Sequence, residues 1–275
     1  HIGFVTALFT DGLILGETLG AGATVPLMLW LFGNNAWRAT FVLWGLPVVV
    51  LLAFWLWLAP REPQVEDVEP AVNAQVSERT TMPEPTSTSV AAQAPVRTIH
   101  LGLLLGAGSL IYFGMNNWIA TYNQALHRDS FTPLALTVLN ALQLPSSLGV
   151  TFFAQRLVGK RWPFVLAGIV CIVAMLTWIF GPASLEYPCA GLLGASSALV
   201  FTLGLALPAL LANPTNVARL AGATLSIGYS TAFIGPFIGG GLWDLFGLPA
   251  LAFVPVVVAS ASLVVAGLML PARHA

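Results

Sequence analysis

Eight uninterrupted apolar runs divide this chain, at roughly 3–31, 37–59, 99–123, 131–155, 162–181, 187–211, 221–245 and 248–270. Each reaches the roughly 20 residues an α-helix needs to cross about 30 Å of hydrocarbon. Lipid offers no water to backbone N–H and C=O groups, so a spanning segment must bond internally as a helix or join a closed barrel. Barrel strands are about 10 residues long and alternate in polarity. These runs are longer and continuous, so helices are predicted and the fold class is an all-α membrane protein. Composition agrees: 57% of the 275 residues are hydrophobic and 8% charged, against about 25% charged in a soluble domain. The implied partner of this surface is a lipid bilayer. The net charge of −1 says little about partners, because charge placement matters more than its sum; no nucleic-acid partner is expected.

A glycine-rich stripe occurs twice. Gly12, Gly16, Gly20 and Gly22 are echoed by Thr231 to Gly241, and aligning Gly16 on Gly235 also brings Gly3 onto Gly222 and Gly20 onto Gly239. Small residues four apart lie on one helix side and let a neighbouring backbone approach closely. An internally duplicated bundle is expected, with a binding site between its halves.

Residues 60–98 differ in kind. The run holds proline, serine, threonine and most of the acids, and cannot bury enough apolar surface to offset its ordering entropy. It reads as a disordered tether, with a regulatory phosphosite among Thr80, Thr81, Thr86, Ser87, Thr88 and Ser89 as the alternative. Placing it in the cytoplasm sets the sides of the other loops. Arg61, Arg79, Arg97, Arg156, Lys160, Arg161, Arg219 and Arg273 then fall inside, and Arg38 and Arg128 outside, a division of 8 to 2. The C-terminus is therefore expected in the cytoplasm.

The helix pattern, central acidic linker and repeated glycine stripe resemble the major facilitator superfamily. The resemblance implies a bundle of two similar six-helix halves. It assigns 1–59 to the last two helices of the first half, 60–98 to the cytoplasmic linker and 99–275 to a complete second half. About eight helices, the fifth to the twelfth of twelve, are thus expected. Because the chain opens on His1 inside an apolar run, a fragment lacking four helices is expected, monomeric when full length. The stretch Ala154 to Arg161 resembles the family's basic turn between two helices, making Arg156, Lys160 and Arg161 a gating loop, although Gln155 stands where an aspartate is usual. Gly12-x-x-x-Gly16-Glu17-x-x-Gly20-Ala21 resembles the fifth-helix motif of antiporters, with Glu17 in place of proline. Within the family the chain is most similar to the cyanate and nitroimidazole transporter branch, through Gly3 to Phe9, Ala23 to Leu27, and Tyr112 to Trp118. That similarity implies an inner (plasma) membrane location and a cyanate-like or nitroimidazole-like substrate.

The densest polar cluster inside any run spans Tyr112 to Asn123. At 100° per residue, Tyr112, Asn116 and Asn123 share a side, with Asn117 one step round. Amides in lipid are costly unless paired, so this side should face a cavity or another helix. Tyr112, Asn116 and Asn117 are expected to hydrogen-bond a small polar solute, with Trp118 or Tyr122 as an aromatic wall; interhelical bonding alone is the plainer reading. Asn140, Gln143 and Ser147 follow i, i+3, i+7 beside Pro145, which should bend the helix. Asn140 and Gln143 are expected to contact substrate or to satisfy that bend. Hydroxyls from Thr224 to Thr231 are expected to be packing contacts.

Glu17 and Asp11 are acids within an apolar run, about 9 Å apart along a helix axis and roughly 120° around it, so they do not form a dyad. Each is a candidate for proton coupling; a carboxyl satisfied by neighbouring helices is the plainer alternative. Arg38, Arg128 with Asp129, and Asp244 are expected to anchor helix ends, and His100 has no evident partner. Cys171 and Cys189 lack metal-ligand spacing, so no metal and no cofactor are expected.

A secondary transporter working by alternating access is the leading expectation. No Gly-x-x-x-x-Gly-Lys loop is present to bind nucleotide, and His1, His100, His127 and His274 are too dispersed for a catalytic cluster, so an enzyme is not expected. A proton-coupled efflux carrier, or a scaffold or sensor that transports nothing, are the alternatives.

Overall fold

The structure, a computed structural model, describes residues 11–12, 14–17, 20, 27, 30–31, 36–58, 94–157, 160–212 and 216–270. Helices α1 (Ala36–Leu58), α2 (Ala94–Ala125), α3 (Thr132–Ala141), α4 (Gln143–Leu157), α5 (Trp162–Phe180), α6 (Glu186–Leu211), α7 (Val217–Phe246) and α8 (Val254–Met269) follow in order, with no strand among the described residues. The tether expected at 60–98 lies outside the described residues as far as Gln93; from Ala94 onward the chain is already helical.

Helix limits follow local chemistry. Proline stands at the first or second position of α3, α5 and α8, where its missing N–H has no intrahelical partner to lose. Helix α7 stops at Gly247, whose left-handed φ of 69° lets its N–H close on the Trp243 carbonyl at 2.7 Å. Pro145 acts as the spacing predicts. It has no N–H for the Ala141 carbonyl four residues back, and the run breaks between Ala141 and Gln143, dividing one span into α3 and α4.

Five segments among the described residues are long and apolar enough to cross a bilayer: Thr98–Ala125, Asp129–Val150, Trp162–Phe180, Ala183–Leu211 and Pro249–Met269. Helix α7 has the length, at 30 residues, but Ser226, Tyr229, Ser230, Thr231 and Asp244 dilute its hydropathy. Of these, Tyr229 and Asp244 line a cleft described below.

The molecule divides into two compact units, residues 23–93 and residues 1–22 with 94–275. In the first, α1 exposes its side chains all along Leu46 to Leu58, as suits a helix apolar on every face. In the second, α2 is the central element, packed on α7, α8 and α6, while α6 also covers α3, α4 and α5. Leu104, Leu105, Ile111, Met115 and Ile119 of α2 are fully buried, whereas Phe152 and Phe180 are 80% and 82% exposed. Lipid tails are as apolar as leucine, so side-chain burial between these helices brings little hydrophobic gain and close contact must hold them. Gly194 supplies such a contact, because a Cβ there would strike the Leu139 carbonyl. The second glycine stripe behaves likewise, Gly235 lying against Leu110 and Gly239 against the Ala252 carbonyl. Around Gly12, Gly16 and Gly20 nothing stands within 4 Å of a Cβ position. Much of the first stripe's helix lies outside the described residues, and with it the expected symmetry of the two copies.

Candidate functional site

The two polar clusters of the sequence form one hydrogen-bonded network across α2, α3 and α4. Asn140 is its hub, buried at 2% exposure. The Tyr112 hydroxyl donates to Asn140 Oδ1 at 2.7 Å, and Gln143 Nε2 donates to the same oxygen at 3.4 Å. Asn140 Nδ2 donates to Asn116 Oδ1 at 3.2 Å and to the Leu136 carbonyl at 2.8 Å. Asn116 Nδ2 closes back on the Tyr112 carbonyl at 3.0 Å. Ser147 extends the polar face of α4 to Thr202 of α6 at 3.3 Å.

Beside this network lies a small cavity of about 70 Å³, lined by Glu17, Tyr112, Phe113, Gln143, Ser197 and Tyr229 among others. Glu17 is close enough to Tyr112 and Tyr229 to act on both electrostatically. Asp11 points elsewhere: it is 8% exposed, its Oδ1 is buried without a partner, and it does not line that cavity.

A wider, open cleft of about 740 Å³ lies between α2 and α7, lined by Asn117, Trp118, Phe233, Phe237 and Asp244 among others. Phe113 and Tyr229 line both spaces, with ring centroids 6.4 Å apart, and so form the partition between them. Asn117 is exposed and bonds only the Phe113 carbonyl of its own helix, at 2.8 Å. Trp118 packs on Trp243 at 5.7 Å, and its Nε1 is buried without a partner. Asn117 and Trp118 therefore belong to the wide cleft, whereas Tyr112 and Gln143 face the small one.

Several expectations change. Asn123 stays on the Tyr112 side but lies three turns further on, where it is fully buried and donates to Glu186 Oε2 at 3.1 Å. Arg128 is a partner rather than a surface anchor, with Nη1 3.2 Å from Glu186 Oε1. The turn before it explains how, since His127 adopts a left-handed φ of 57° and the Arg128 N–H returns to the Asn123 carbonyl at 2.7 Å. His100 does have a partner, its Nε2 lying 3.0 Å from the Ala266 carbonyl. Tyr122 is buried edge-on against Phe253 at 5.0 Å and is no cavity wall. Ser226 and Thr231 donate to carbonyls four residues back on α7, in line with a packing role.

Of the expected gating loop, Arg156 ends α4 and is exposed, as is Arg161; Lys160 closes a turn onto the Leu157 carbonyl at 3.2 Å. Positive charge after a helix C-terminus is favourable. The side chain of Gln155 lies outside the described residues.

Sequence reasoning missed Glu186, whose signal was a lone acid in the first turn of an apolar helix. It also missed Tyr229, Phe233 and Phe237 as cavity walls, for which an aromatic at every fourth position of α7 was the available sign.

Residues 3–227 match the Major Facilitator Superfamily. The chain belongs to that family. It is also 24% identical over 245 residues to the uncharacterized transporter YycB of Bacillus subtilis (strain 168), an alignment covering 88% of this chain and 56% of that protein. The chain thus spans little more than half the length of its curated relative. No solved structure matches it. Membership in the Major Facilitator Superfamily agrees with the all-α, multi-pass membrane bundle described above.

Proposed function

We propose that the chain forms part of a secondary transporter that moves a small polar solute by alternating access, with Tyr112, Asn116, Asn140 and Gln143 as the solute-contacting groups and Asn117 and Trp118 at the approach to them. The observation that carries this reading is the Asn140-centred network, which gathers four polar side chains from three helices next to a cavity. Helix packing needs no such concentration, because each interhelical hydrogen bond in a membrane contributes only about 0.6 kcal/mol on average. The sequence resemblance suggests a cyanate-like anion or a nitroimidazole-like heterocycle. Among the described residues neither cavity has a Lys or Arg in its lining, while Glu17 lines one and Asp244 the other; a neutral or basic heterocycle is favoured over a bare anion. Arg156, Lys160 and Arg161 serve as a cytoplasmic gating loop in this reading. The loop-charge division supports a cytoplasmic linker and C-terminus, and an inner (plasma) membrane location and a monomeric working form belong to the same reading.

A second reading, a proton-coupled efflux carrier, is favoured by one observation: Glu17 shares the small cavity with Tyr112 and Tyr229. Protonation of Glu17, or of Asp11, would then set the direction of transport.

Proteoliposome transport of radiolabelled cyanate and of a radiolabelled 2-nitroimidazole tests the first reading. Tyr112→Phe removes one hydroxyl, and Asn116→Ala one amide, without touching the helix backbone. Each should raise KM for the transported compound about tenfold, the range set by unpairing a buried polar group at about 1–3 kcal/mol. Unchanged KM in both variants would remove these residues from the site.

A further inference from the structure

The wide cleft has a chemistry that the hydrogen-bond network leaves unexplained. Its walls include Phe233 and Phe237, 69% and 68% exposed, with ring centroids 5.1 Å apart. Aromatic faces carry the negative end of the ring quadrupole and attract cations. Among the described residues of the lining, Asp244 alone is charged. Pro236 adds a third negative element. Lacking an N–H, it leaves the Ala232 carbonyl without its helical bond, and both residues line the cleft. Two phenyl rings, the residues of the freed carbonyl and a carboxylate therefore share one lining, with no Lys or Arg among its described residues. A cleft that only admitted lipid tails would need none of the three.

Size narrows the ligand further. At about 740 Å³ the cleft falls within the range of organic-ligand sites and is far too large for an inorganic ion. The smaller cavity, which shares Phe113 and Tyr229 with the cleft, carries Glu17 and no Lys or Arg among the described residues of its lining.

We infer that the cleft between α2 and α7 binds a monovalent aromatic organic cation, its ring against Phe233 and Phe237 and its charge facing Asp244. That this cation is the transported solute rests on the carrier reading above; that it binds in the cleft does not.

Equilibrium binding of tritiated benzyltrimethylammonium to the detergent-purified chain tests the inference, because this probe keeps its charge at every pH. Benzyl alcohol and benzoate, neutral and anionic compounds with the same ring, serve as competitors. The cation should saturate one site and be displaced at least about tenfold more readily by its own unlabelled form than by either competitor. Asp244→Asn should weaken its binding about tenfold. Phe237→Leu, at an exposed position where apolar bulk is kept, should weaken it about two- to fivefold, as expected for one partly exposed cation–π contact. Benzoate or benzyl alcohol competing as well as the cation would overturn the inference, as would wild-type affinity in both variants or no saturation up to about 10 mM. The two readings fail separately. Transport of cyanate that depends on Tyr112, without cation binding, removes this inference alone. Cation binding lost in Asp244→Asn, without transport of any solute, removes the carrier reading alone.

Discussion

Removing Arg128 should damage this fold more than neutralising the acid it pairs with. Glu186 is 1% exposed and the Arg128 side chain 33%, so the two are not equally committed to each other. In Arg128→Ala the carboxylate stays buried and keeps only the Asn123 amide, 3.1 Å away. Stranding a buried charge in this way costs about 3–5 kcal/mol. In Glu186→Gln, Arg128 can turn its exposed guanidinium to water. The new amide can still accept from Asn123 Nδ2 and can donate to Asn123 Oδ1, which has no partner. That variant should lose about 1 kcal/mol, the scale of one partly exposed charged contact. The expected gap is therefore about 2–3 kcal/mol, and the double variant should fall near Glu186→Gln. Reversible unfolding in mixed micelles, with the denaturing detergent fraction as variable, reads these differences. Equal losses in the two single variants would show that Glu186 is hydrated or otherwise compensated, and the reasoning would fail.

Two further outcomes are expected. Gly194→Ala, which drives a Cβ into the Leu139 carbonyl, should destabilise the bundle by about 1–3 kcal/mol, whereas Gly149→Ala, with nothing within 4 Å, should be neutral or stabilise by up to about 1 kcal/mol through helix propensity; the same micelle titration separates them. Glu17→Gln should flatten the pH dependence of solute flux in proteoliposomes if the proton-coupled reading holds, and an unaltered profile would discard it.

The lengths and continuity of the apolar runs were enough to read the helices, because a bilayer imposes the same spacing on any chain that crosses it. Pro145 was equally legible, since a missing N–H acts within its own helix. The polar residues Tyr112, Asn116, Asn140 and Gln143 stood out singly because amides are rare in such runs. What could not be read was their joining into one network: it depends on α2 and α3 packing at a given depth, and Asn140 reaches Asn116 across 24 residues of sequence. Depth also decided Asn123, which shares a helical side with Tyr112 but sits three turns away beside Glu186. The Arg128–Glu186 pair was hidden for a related reason. Arg128 was read as a helix-end anchor and Glu186 was not singled out, and the left-handed turn at His127 accompanies their pairing.

The interruption between α3 and α4 couples chemistry to mechanics. Asn140 precedes the break and Gln143 follows it, and the 3.4 Å bond between their side chains bridges it like a strut. A visiting molecule that competes for the Asn140 oxygen would release that strut, while one that bridges both amides would shorten it.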